Sequence, residues 1–181
     1  RQIEIHCKRQ DSCSIIKDVA GHPFSVLEKA KALQKEIWTK EAQGTEGADM
    51  VRTELREHIF KMLFQIEFNT LEEMPKHLEL YFEELTSAKE KDKEYIQKKL
   101  EAVIEKLEEI DAILNEKATG WKTSRMNKVD LAILRLAVYE IKWDDDVPVK
   151  VAINEAVELA KKFSGEEGPA FVNGVLAKIA D

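Results

Sequence analysis

The sequence predicts an all-α fold, and three observations predict it. Apolar residues recur at steps of three and four through most of the chain. Turn formers are scarce, with 7 Gly and 4 Pro among 181 residues, so little of the chain is set aside for tight turns. No segment alternates apolar and polar residues between hairpin turns, so no strand is assigned.

The elements follow in chain order. Phe24 to Lys40 can form one helix, with Val26, Leu27, Ala30, Leu33 and Ile37 as its apolar stripe. A single helix cannot bury such a stripe alone, so it packs on the main body or frays. A polar, Gly-containing stretch, 43–49, reads as a linker, and Met50 after it looks like a natural start. The expected division is therefore an N-terminal extension, 1–49, and a main domain, 50–181. The chain opens on Arg1 rather than Met, as a fragment or a translated upstream sequence would.

From Met50 onward the signals are helical throughout. Arg52 to Phe68 puts Leu55, Ile59, Leu63 and Ile66 on one face, widened by Phe60 and Phe64. Pro75 sits near the start of a second helix, where a missing N–H matters least. Residues 88–115 read as one long charged helix with apolar positions from Tyr95 to Ile110 and a solvated Lys/Glu face. Val129 to Trp143 is apolar around nearly its whole circumference, which marks a central, buried helix. Asp144 to Asp146 ends it, and Pro148 opens the next helix, which runs to Phe163. Ser164 and Gly165 stop that helix, and Phe171 to Ala180 form a short last one.

Charge and composition narrow the function classes. The net charge of −7 lies wholly on residues 50–181, because residues 1–49 hold 8 basic and 8 acidic side chains. That charge argues against bulk attraction to nucleic acid, so RNA binding needs a local basic patch, a partner, or both. Cys7 and Cys13 are too few for a disulfide framework, and a reducing, cytoplasmic setting is expected. No apolar run approaches the roughly 20 residues that span a bilayer, and the N-terminus lacks a signal-peptide core.

Three blocks then carry a family resemblance. They are Val129-Asp130-Leu131-Ala132-Ile133-Leu134-Arg135-Leu136-Ala137-Val138-Tyr139-Glu140, the run from Asp146 to Phe163 that includes Val151-Ala152-Ile153-Asn154-Glu155-Ala156, and Phe171-Val172-Asn173-Gly174-Val175-Leu176. In this order and with these gaps, residues 50–181 resemble the NusB family of bacterial antitermination factors. The resemblance implies two small helical bundles packed across each other, here with an additional N-terminal helical extension. It implies transcription antitermination through boxA-type single-stranded RNA bound jointly with the ribosomal protein NusE, at the transcription elongation complex, in support of ribosomal RNA synthesis. Cofactor, membrane and catalytic residues are not implied, and monomer and homodimer both stay open. NusB-like domains also resemble the RNA-binding part of certain rRNA cytosine methyltransferases, a reading that requires a longer parent chain. A helical scaffold that binds protein alone is the third reading.

The resemblance also implies site residues. The family's N-terminal helix carries an arginine-rich cluster, of which this chain keeps Arg52 and Arg56 with Thr53 and Glu54 between them. Four apart, they share a helical face and could fork onto consecutive phosphates, or could equally pair with nearby glutamates. Phe64 stands where the family often has Tyr, as a base-stacking ring or as core. Asp130 matches an acidic position near the RNA, but it could instead sit at N3 of a helix capped by Asn127. Phe171 and Asn173 open the last helix, whose free N–H groups attract phosphate, although Asn173 could instead tie loops together. The family's Lys just before that Phe is replaced here by Pro169-Ala170.

Enzyme readings lack their motifs. There is no His-Glu-x-x-His, no Gly-rich phosphate loop and no Glu-x-x-His pair of a di-iron bundle. His6, Cys7, Cys13 and His22 fit no familiar zinc spacing.

Overall fold

The computed structural model describes residues 49–118 and 120–180. These belong to a compact unit running from Gly44 to Asp181. The helix expected over Phe24 to Lys40 lies outside the described residues.

Among the described residues all regular structure is helical. The helices are α1 (Arg52–Gln65), α2 (Met74–Glu84), α3 (Glu90–Glu105), α4 (Leu107–Lys117), α5 (Lys128–Trp143), α6 (Val149–Phe163) and α7 (Gly168–Ala180), with a short 3-10 turn at Thr123–Arg125. Helix α5 is the axis of the unit and packs against α1, α3, α4, α6 and α7. Its residues Val129 to Val138 are all buried, as expected of a helix apolar all round. Asn127 caps it by accepting a hydrogen bond from the Val129 N–H at 2.9 Å.

Two element boundaries differ from the sequence reading. The expected helix over 88–115 is two helices, because the chain leaves α geometry at Lys106 (φ −96°, ψ 6°). There the Lys106 N–H bonds back only three residues, to Val103. The kink lets Ile96, Leu100 and Val103 of α3, and Ile110 and Leu114 of α4, all reach the core. Helix α7 begins at Gly168, three residues before Phe171. Pro169 then falls in its first turn, where no intrahelical N–H is needed.

Ring packing and hydrogen bonds hold α1 and α2 in place. Phe60 stacks tilted on Phe163 of α6 at 5.1 Å. His58 of α1 meets the Tyr81 hydroxyl of α2, with Nδ1 and the oxygen 2.5 Å apart. Burial holds the His58 imidazole down at about 4, with Glu54 opposing and Lys162 reinforcing that shift. Burial also pushes the Tyr81 hydroxyl above its ordinary range. Both groups are therefore neutral at pH 7.

Candidate nucleic-acid interface

Helix α1 starts with the chain extended at Val51, whose N–H donates to the Glu54 carboxylate at 3.1 Å. This ties down one of the free donors that every helix start leaves. Arg52 follows at the rim of an open groove of about 250 Å³, lined also by Tyr95, Lys98, Lys99, Tyr139 and Asp144. Its side chain is exposed and makes no ion pair among the described residues. Arg52 is thus available to a phosphate.

Arg56 is not. It is 5% exposed, and its Nε donates to both carboxylate oxygens of Glu140, at 2.9 and 3.1 Å. Its Nη1 also lies 3.5 Å from Glu155. Lys99 lies 3.6 Å from Glu140 and pairs with Asp144, so four elements or their ends share one buried charge network. Burial pushes the Glu140 carboxyl up, and Arg56 and Lys99 pull it back. Of the two expected outcomes for Arg56, the glutamate pairing is the one seen. The reason is long-range: α5 brings a carboxylate under Arg56 that no local spacing reveals.

The remaining expected residues gather at the opposite end of α5. Asp130 and Glu140 are ten residues apart on one helix, which separates the two ends by roughly 15 Å. Phe64 is 1% exposed, tilted on Phe60 at 6.3 Å and edge-on to Phe68 at 5.0 Å. No ring face is open to a base, so the stacking role expected for Phe64 is corrected to a core role. Asp130 is buried and accepts a hydrogen bond from the Ser164 hydroxyl at 2.5 Å. Burial raises its carboxyl, and the Ser164 bond opposes that rise. A Cβ at Gly168 would overlap the Ser164 side chain and stand 3.1 Å from the Asp130 carboxylate. Asp130 therefore ties the start of α5 to the α6–α7 corner.

Phe171 and Asn173 do reach the surface. Phe171 is half-buried and meets Trp121 edge-to-face at 5.6 Å. Asn173 is exposed, and its side chain makes no hydrogen bond among the described residues. Trp121 is 53% exposed on the α4–α5 loop. Sequence reasoning passed over it because it lies between helices, although a Gly-Trp-Lys step in a carboxylate-free stretch was a readable signal.

Among the described residues no group of three or more His, Cys, Asp or Glu is placed to hold a metal. His6, Cys7, Cys13 and His22 lie outside the described residues. No described helix is long and apolar enough to cross a membrane.

The fold and both ends of the surface can be set beside known proteins. A model of the NusB family matches residues 53–181. The chain belongs to the NusB family. It is 57% identical over 131 residues to the transcription antitermination protein NusB of Agathobacter rectalis, covering 72% of this chain and 100% of that protein. The NusB of Lachnoclostridium phytofermentans is 52% identical over 132 residues, again across its full length. Among solved structures, T. maritima NusB superposes with a TM-score of 0.64 at 34% identity, covering 74% of this chain and 92% of that one. A complex of the antitermination factors NusB and NusE with double-stranded RNA matches with a TM-score of 0.61 at 27% identity, covering 72% and 98%. NusB proteins are antitermination factors rather than enzymes, in keeping with the missing catalytic motifs.

Proposed function

We propose that this chain is a cytoplasmic transcription antitermination factor that binds boxA-type RNA jointly with NusE and acts within the elongation complex. The observation that carries the reading is the family match across 53–181, with relatives of that name aligned over their full length. The full-length alignment to freestanding antitermination proteins favours this reading over an accessory domain of an rRNA methyltransferase. The neighbour solved with NusE and RNA supports both partners and sets them against a protein-only scaffold.

On this reading the RNA-facing residues are Arg52 at one end and Phe171 and Asn173 at the other. Arg56, Phe64 and Asp130 act beneath them by fixing α1, α5 and the α6–α7 corner. An acidic chain with one free arginine at the start of α1 binds RNA weakly alone, and a partner with its own contacts raises the affinity of the pair.

The test is a titration of single-stranded boxA-type RNA, and of a duplex of the same sequence, with and without NusE at several salt concentrations. Tighter binding by the pair than by either protein supports the reading. NusE binding with no RNA dependence would establish the scaffold instead.

A further inference from the structure

We propose that Trp121 is a stacking platform for an unpaired RNA base, supported at its edge by Phe171 and flanked by a basic loop that takes the adjacent phosphates. Trp121's role rests on the RNA-binding reading above and adds a base contact to it.

Charge selects the class of ligand. The chain carries −7 overall, yet residues 117–128 contain Lys117, Lys122, Arg125 and Lys128 and no carboxylate. Lys117 faces Glu116 and Lys128 is partnered by Glu67, whereas Lys122 and Arg125 are exposed and form no ion pair among the described residues. A cationic stretch with an exposed aromatic at its centre combines the two features that hold single-stranded nucleic acid, backbone attraction and base stacking. An exposed tryptophan can also anchor a protein partner, but the cationic stretch around it and the RNA-binding reading above favour a nucleic acid.

The loop is also built to hold the ring still. The Trp121 backbone N–H donates to the Ala118 carbonyl at 2.9 Å. Gly120 just before it has φ +84°, a left-handed conformation that a side chain would strain. Asn115 of α4 accepts from the Thr123 N–H at 2.9 Å and donates to the Asp111 carbonyl at 2.7 Å, pinning the far side of the loop. Phe171 meets the indole edge-to-face, which fixes its tilt and leaves Trp121 53% exposed. A ring held in this way loses little freedom on binding, which strengthens any contact it makes. Phe64 is closed off in the core, whereas Trp121 is exposed and Phe171 half-buried at this end of α5.

The test extends the titration to Trp121→Ala and Trp121→Phe, each checked by thermal unfolding. Stacking predicts roughly a 10-fold loss of single-stranded RNA affinity for Trp121→Ala, within the usual range for one base. Trp121→Phe keeps most of the affinity, duplex binding is unchanged, and the salt slope is unchanged because no charge is removed. In a Trp38→Phe/Trp143→Phe background Trp121 is the sole tryptophan, and its fluorescence should be quenched on adding single-stranded RNA. This second readout does not depend on the alanine variant folding. If the parent binds RNA but Trp121→Ala binds it equally well and no quenching occurs, the platform is wrong and the RNA reading stands. A variant that loses NusE affinity while keeping RNA affinity makes Trp121 a protein contact and overturns the assignment. If the parent binds no RNA with NusE present, both readings fall.

Discussion

Arg52 and Arg56 lie four residues apart on α1, yet their surroundings give them opposite roles. Arg56 is locked to Glu140 in the interior, where losing one partner of a buried pair strands the other charge. Arg56→Ala should destabilise the fold by about 3 kcal/mol, the low end of that range, because Lys99 still faces Glu140. Arg52→Ala should leave stability within about 0.5 kcal/mol and flatten the salt dependence of RNA binding by about 0.7, one phosphate's share for a single strand. Denaturant unfolding and salt-dependent titration of the two variants separate these effects; equal stability losses would refute the division. His58 supplies a pH dependence. Its folded value of about 4 lies below the ordinary 6.5, so its contribution is present above pH 6.5 and fades as pH falls toward 4. The full loss is on the order of 3 kcal/mol. Asp130 and Glu140, both raised, act in the opposite sense, so the difference between parent and His58→Gln isolates the histidine. Unfolding curves at pH 7 and pH 4.5 should converge for the two proteins at the lower pH. A constant difference would show that His58 does not titrate in this window.

At the scale of elements, α5 carries the fold. Leu134 is fully buried on it, so Leu134→Ala should cost roughly 2–5 kcal/mol in chemical denaturation, the usual price of emptying a leucine site. A loss under about 0.5 kcal/mol, the scale of surface changes, would mean that α5 is not the axis. This helix was legible because its apolar residues cover every face. The break at Lys106 was not, since Val103, Ile104, Leu107 and Ile110 keep steps of three and four straight across it. Periodicity reports which side faces the core, and it is silent on whether the axis bends to follow that core. The early start of α7 was missed for a related reason: Gly168 reads as a breaker in sequence, but it is needed where Ser164 and Asp130 leave no room for a Cβ.

On the scale of the whole molecule, the expected site residues divide between two ends of α5. Arg52 stands at one, while Phe171 and Asn173 stand at the other, beside Trp121, and an RNA touching both must run along the protein rather than sit in one pocket. We expect residues 1–49 to be dispensable, because the family match begins at residue 53. A chain beginning at Met50 should unfold in one cooperative transition and keep its RNA affinity. A loss of several kcal/mol, or of binding, would make the extension part of the fold or of the site.

By itself the sequence determined the helical class, the central position of α5 and the family, all of which rest on local spacing or on contiguous blocks. Only the tertiary structure decided which polar and aromatic side chains remain available. Arg52 and Arg56 share one helical face, and Phe64 and Trp121 are both aromatic. What separates them is the approach of distant groups, Glu140 across 84 residues to Arg56 and Phe171 across the α6–α7 corner to Trp121. Helix spacing is set by neighbours in the chain, whereas exposure and pairing are set by neighbours in space.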